Sequence, residues 1–101
     1  MTTGSEREQR ILAVLMSLAE GEVTTYGDVA EVAGYPTQAR LVGRILATTD
    51  WDVPWWRVVN AAGVLRASDP RQQAELLTSE GVIVRSGRVI DAPIGRFSCD
   101  A

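Results

Sequence analysis

Gly34-Tyr35-Pro36 breaks the chain between two short amphipathic runs, and few folds accommodate that pattern. Upstream, Thr24 or Thr25 can cap a helix through Asp28 to Ala33, which Gly34 stops. Downstream, Pro36 and Thr37 open a helix that runs to Thr49, with Ala39, Val42, Ile45 and Leu46 as its core face. Two helices joined by so tight a turn predict a helix-turn-helix unit. On the second of them Arg40 and Arg44 are four residues apart and project from one side. Gly43 lies between them, a costly residue inside a helix unless something must approach the backbone closely.

The flanking segments build a small domain around this unit. Ser5 followed by Glu8 is a capping-box signature, and Ile11, Leu12, Leu15, Met16 and Leu18 recur at helical spacing. A first helix is therefore expected over Glu6 to Ala19, ended by Gly21. RVVNAAGVLRA predicts a β-hairpin turning at Asn60-Ala61-Ala62-Gly63, followed by a short wing-like loop. Asp69 and Pro70 start a further helix, PRQQAELLTSE, which Gly81 terminates. VIVRSGRVID gives two strands around Ser86-Gly87, and the tail APIGRFSCDA is expected to be irregular. These elements add up to one α/β-type winged helix-turn-helix domain over residues 1–101, with no repeat or linker.

Composition removes several chemistries. There is no histidine, so a Cys-His or Ser-His nucleophilic pair and a histidine-based zinc site are excluded. Cys99 is the only cysteine, so no internal disulfide can form. The apolar runs are too short to span a bilayer, and MTTGSEREQR is no signal peptide. A cytoplasmic protein with no cofactor, metal or membrane partner is expected. The net charge of −3 argues against indiscriminate nucleic-acid binding. Charge is uneven, however. Residues 1–35 carry two arginines against six acids, and residues 36–71 carry five arginines against three acids. All ten basic residues are arginine, whose planar fork suits phosphate contact and stacking.

VPWWRVVN holds the remaining signal. Pro54 fixes a turn, and Val58 and Val59 begin a strand, so one or both of Trp55 and Trp56 reach a defined place. Neither indole can attack, bind a metal or move a proton at neutral pH.

Three stretches, GEVTTYGDVAEVAGYPTQARLVGRIL, VPWWRVVNAAGVL and LLTSEGV, together resemble the DNA-binding domain of O6-alkylguanine-DNA alkyltransferases over Arg10 to Val84. The transferases carry Pro-Cys-His-Arg-Val, whose cysteine thiolate takes the alkyl group from the base. Here the five positions are Pro54-Trp55-Trp56-Arg57-Val58. That is similar to the alkyltransferase-like proteins, which bind the lesion without repairing it. Trp56 departs from the polar or histidine residue that many of them keep, and the transferases' separate N-terminal domain is not in this chain.

The resemblance implies a non-enzymatic damage sensor that binds O6-alkylguanine in double-stranded DNA and flips the nucleotide from the minor groove. Arg40 matches the intercalating arginine, and Tyr26 the tyrosine that pushes on the phosphate 3′ to the target. Ala39 and Gly43 would allow close approach. Trp55 would line the lesion pocket; Trp56 would be either a second wall or core packing. Arg66 would face the flipped base or its phosphate, Arg44 and Arg71 could contact phosphates, and Arg57 would tie the turn to carbonyls. Glu80 matches the glutamate that orients the transferase histidine; without a histidine to orient, it would be a structural hydrogen-bond acceptor or a helix-end charge, an evolutionary leftover. A monomer that signals to nucleotide excision repair proteins, nucleoid-associated when bound, is implied. Two other functions fit the same fold. A winged-helix transcription regulator would prefer a DNA sequence over a damaged base. A base-excision enzyme would need Glu80 or Asp69 as its acid or base.

Overall fold

A computed structural model describes residues 5–98, so Cys99 lies outside the described residues. In chain order the elements are α1 (Glu6–Met16), β1 (Glu22–Thr25), α2 (Tyr26–Val32), α3 (Ala39–Thr48) and a 3-10 turn (Trp55–Arg57). Then follow β2 (Val58–Val59), α4 (Pro70–Ser79), β3 (Ile83–Arg85), β4 (Arg88–Asp91) and β5 (Ile94–Gly95). Three helices start where a side-chain oxygen can take an orphan N–H. Ser5 Oγ accepts from Glu8 at 3.1 Å, Thr25 Oγ1 from Asp28 at 3.0 Å and Asp69 Oδ1 from Gln72 at 3.0 Å.

α4 ends one residue before its sequence pattern, at Ser79, and two other helices fall well short of theirs. α1 ends at Met16 instead of Ala19, because Ser17 Oγ donates to the Val14 carbonyl at 2.6 Å and the next amides bond three residues back. α3 starts at Ala39, not Pro36. The Gln38 amide donates to the Tyr35 carbonyl at 2.9 Å and closes a turn first, and Gln38 offers no side-chain cap.

The expected hairpin between Val58 and Leu65 closes with one backbone bond, Asn60 N–H to Val64 O at 3.2 Å, but does not extend into a ladder. β2 instead pairs in parallel with β1, Val58 beside Thr24 and Val59 beside Thr25. The turn itself is present, with Gly63 N–H donating to Asn60 O at 2.9 Å. Asn60 Oδ1, however, accepts from the Val64 amide at 2.8 Å and takes that donor away from any ladder with β2. The returning arm joins β4: Val64 bridges Arg88, Leu65 N–H donates to Gly87 O at 3.0 Å, and Val89 N–H to Gly63 O at 2.9 Å.

The tail is not wholly irregular either. β5 runs parallel to β1, giving the sheet order β2-β1-β5. Gly95, at φ +93°, permits this, since a Cβ there would stand 3.0 Å from the Val23 carbonyl oxygen. Beyond it, Arg96 Nη1 reaches Asp28 at 2.8 Å and ties the tail to the start of α2.

This small parallel sheet divides two cores. Ile11, Leu12, Leu15, Val29, Val42, Ile45 and Val58 form one beneath α1–α3. Val23, Val59, Leu65, Leu77, Val82 and Val89 form the other beneath α4 and the β3–β4 hairpin. Val58 and Val59 are both 0% exposed yet belong to different cores, because successive strand residues face opposite sides. Cover on both faces is what a parallel sheet requires.

Candidate nucleic-acid interface

α2 and α3 form the expected helix-turn-helix, and an open cleft of about 850 Å³ lies along α3. Tyr26, Ala39, Arg40, Gly43, Trp55 and Arg66, singled out from the sequence, all line it. Ala39, Arg40, Gly43, Leu46 and Ala47 form one stripe of α3, three or four residues apart. The segment before α4 and its first turn completes the lining, where Asp69 is joined by Ser68 and Gln72, two polar residues that the sequence did not point to. Asp69 was recognisable as a helix cap, and as a pocket acid only in the base-excision alternative; that its cap faces the cleft depends on how the segment after Arg66 folds back.

Tyr26, the first residue of α2, is half-buried. Burial raises its phenol pKa above 10.0, and the nearby positive charge of Arg66 offsets part of that rise. At neutral pH it is therefore an uncharged O–H donor beside two cleft arginines, of which Arg40 stands exposed in the first turn of α3.

Gly43 has no packing reason to be glycine. A Cβ there would meet Tyr26 Cε1 at 4.0 Å, an ordinary contact, and the backbone is helical. Gly43→Ala is therefore expected to stabilise the free protein by about 0.5–1 kcal/mol. If the missing methyl is room for a ligand, the same variant binds DNA more weakly. A denaturant melt and a duplex titration together check this; unchanged DNA affinity would leave the glycine unexplained.

The two tryptophans part company at the 3-10 turn. With three residues per turn, neighbouring side chains diverge by about 120°. Their rings meet edge to face, with centroids 5.9 Å apart and planes at 90°. Trp55 packs on the first core and lines the cleft. Trp56 does not line the cleft, which corrects its placement as a possible second pocket wall. It packs against the second core, and its Nε1 donates to Glu80 Oε2 at 2.8 Å.

Glu80 is the hub behind the turn. Besides Trp56 it accepts from the Gly21 amide at 2.8 Å, and from Arg57 Nε at 2.9 Å and Nη2 at 2.7 Å. Arg57 also donates to the Leu18 carbonyl at 2.9 Å and stacks 5.2 Å from the centroid of the Trp56 ring. Burial would raise the Glu80 pKa, but these donors outweigh it and hold the carboxyl below its ordinary value. Gln73, 0% exposed, fastens the turn from α4, its Nε2 donating to the carbonyls of Trp56 at 3.2 Å and Val58 at 3.0 Å. Of the two acids considered for base excision, Glu80 is turned away from the cleft with both oxygens engaged, whereas Asp69 lines it. Asp69 Oδ1 is taken by the Gln72 amide as the cap of α4, and no group within the described residues is shown positioned beside it to assist base excision.

Comparison with known proteins follows the same outline. The family model described as 6-O-methylguanine DNA methyltransferase, DNA binding domain, matches residues 6–82. A DNA base-flipping protein of Escherichia coli K12 is 41% identical over 87 residues, 82% of this chain and 67% of its own length. Alkyltransferase-like protein 1 of Schizosaccharomyces pombe is 32% identical over 79 residues, 72% of this chain and 73% of its own. The crystal structure of the S. pombe protein with damaged DNA containing O6-carboxymethylguanine superposes with a TM-score of 0.72 at 29% identity, covering 83% of each chain. A Mycobacterium tuberculosis O6-methylguanine methyltransferase in complex with DNA gives 0.68 at 31% identity, covering 76% of this chain and 50% of its own. On sequence and fold alike, the chain belongs to the family of O6-methylguanine-DNA methyltransferase DNA-binding domains, and within it is similar to the base-flipping, alkyltransferase-like proteins.

Proposed function

We propose that this protein senses O6-alkylguanine in duplex DNA without repairing it, holding the flipped nucleotide in the cleft from the minor-groove side. The observation that carries this is Trp55, an indole on the cleft, at the position that the Pro54-Trp55-Trp56-Arg57-Val58 resemblance matches to the transferase acceptor cysteine. Alkyl transfer needs a nucleophile with a lowered pKa and a base beside it. Trp55 supplies neither, and the Glu80 carboxylate is turned away into four hydrogen bonds.

The remaining cleft residues suit binding. The Arg40 guanidinium fills the gap left in the base stack and bonds to the orphaned partner base. The Tyr26 hydroxyl pushes on the phosphate next to the target, and Ala39 and Gly43 let the backbone of α3 close on the groove. Trp55 offers an apolar face to the alkyl group and the purine, while Arg66 faces the base or its phosphate. The protein acts as a monomer in the cytoplasm and marks the lesion for nucleotide excision repair.

The test compares matched duplexes carrying guanine or O6-methylguanine. Tighter binding of the lesion, with no change in protein mass after incubation, is expected; a gain of one alkyl group would overturn the reading. Arg40→Ala is expected to cost roughly 2 kcal/mol or more of lesion binding, about thirtyfold, as anchoring arginines do. Its melting midpoint should stay close to wild type, because the side chain is exposed. Undiminished affinity in that variant removes Arg40 from the mechanism.

A further inference from the structure

The β3–β4 hairpin carries a charge arrangement that the fold itself disfavours. Arg85 and Arg88 are direct cross-strand partners on either side of the turn at Ser86, φ 54°, and Gly87, φ 75°. Like charges directly opposite one another destabilise a two-stranded ladder. Neither arginine is needed by the core, since both are exposed while Val84 and Val89 of the same hairpin pack inward. One donor of Arg88, Nε, bonds to the Ala62 carbonyl at 2.9 Å, which leaves the rest of its five-donor fork.

The position of this tip relative to the cleft follows from the pairing. Val64 bridges Arg88, and Leu65 donates to Gly87 at the tip. Directly opposed antiparallel residues lie about 5 Å apart, and two extended residues span about 7 Å, so Arg66 Cα is within about 12 Å of Arg88 Cα. Side chains alternate along an extended segment. Val64 shares a side with its bridge partner Arg88, and so with Arg85, while Leu65 is buried and Arg66 beyond it is exposed. Arg66 itself lines the cleft. Arg66, Arg88 and Arg85 thus form one cationic run leading outward from it, on a protein whose net charge is −3.

We infer that the β3–β4 hairpin is a second DNA contact, in which Arg85 and Arg88 bind backbone phosphates flanking the flipped nucleotide. The inference rests on the lesion-sensing reading for where the duplex lies. Phosphates of one strand recur about every 3.4 Å along the helix axis, so a run of up to about 12 Å to Arg88 and about 5 Å more to Arg85 reaches several of them. The phosphate charge also offsets the repulsion between the two arginines once DNA is bound. Exposed Ile83 and Ile90, further down the hairpin, mark where the cationic part ends.

The experiment is a salt titration of wild type, Arg85→Ala/Arg88→Ala and Arg85→Lys/Arg88→Lys on O6-methylguanine and unmodified duplexes. Each phosphate contact contributes about −0.9 to the slope of log affinity against log salt. The alanine pair is expected to flatten the slope by about 1.8 and weaken both duplexes equally, roughly tenfold or more at moderate salt, with the lesion preference intact. The lysine pair should keep the slope. A folded alanine pair with wild-type slope and affinity overturns the inference, as does a lysine pair as impaired as the alanine pair. If wild type shows no lesion preference but the alanine pair still flattens the slope, the sensing reading fails and the hairpin contact stands.

Discussion

Glu80→Ala is expected to cost about 3–5 kcal/mol of folding stability, although Glu80 belongs to neither apolar core. The magnitude comes from what the substitution strands. Arg57 and Glu80 have only 13% and 9% of their side-chain surface exposed, and the pair is forked, with both Glu80 oxygens engaged. Removing the carboxylate leaves a guanidinium in a poorly solvated place, together with the Trp56 indole N–H and the Gly21 amide. An unpaired buried donor costs about 1–3 kcal/mol and a charged one more. A domain of this size has about 5–15 kcal/mol in total, so the variant approaches the folding threshold. The Leu18 carbonyl still holds one Arg57 nitrogen, which keeps the loss below a sum of the separate bonds. Glu80→Gln keeps one acceptor oxygen but turns an NH2 toward two donors and removes the counter-charge of Arg57, so it should lose less than Glu80→Ala yet still be clearly destabilised. A denaturant melt measures both, and a loss below about 1 kcal/mol in Glu80→Ala would refute the hub.

The same network sets a pH dependence of defined sign. The folded carboxyl is held below its ordinary pKa, so the unfolded chain binds the proton more readily. Stability from Glu80 is complete above the ordinary carboxylate range and is lost as pH falls through the depressed folded value. In Glu80→Gln that part of the acid sensitivity should vanish.

What could be foreseen from the sequence divides along the range of the interactions. Ser5, Thr25 and Asp69 each cap an amide three residues away, and a signal that local survives folding unchanged. β1 and β5 meet through two residue pairs whose partners lie some seventy positions apart, so Glu22 to Thr25 read only as the approach to a helix. The mistaken hairpin has a similar origin. Asn60 and Gly63 do make a turn, but one side-chain oxygen on Val64 decides which strand the returning arm joins. The cleft was more legible than the sheet, because residues of one helix face travel together once α3 forms. Trp55 and Trp56 could not be separated beforehand. Both follow Pro54, and only the 3-10 geometry sends one to the cleft and the other to Glu80.

That separation makes the rebuilding of an alkyl acceptor the sharpest test of the site. Trp55→Cys alone is expected to stay inert. Its thiol, at an ordinary pKa of ~8.5, would be only a few per cent thiolate at neutral pH, and Trp56 offers no base. Trp55→Cys with Trp56→His is expected to accept an alkyl group from O6-methylguanine duplex, measured as a mass gain of one methyl. Glu80 Oε2 already receives an N–H from residue 56 at 2.8 Å, so an imidazole there finds its orienting acceptor in place. The low pKa of Glu80 keeps that acceptor ionised and favours the imidazolium, which in turn favours the thiolate beside it. Two features hold the rate below that of a true transferase. Arg57 competes for the same carboxylate, and exchanging an indole for a thiol leaves the cleft wall hollow where the base should be pressed. Both tryptophans are half-buried, so each variant must first show a cooperative melt. Equal alkylation of the folded single and double variants would mean that residue 56 does not govern the thiol, and the assignment of Trp56 and Glu80 to the histidine and its orienting acid would fall.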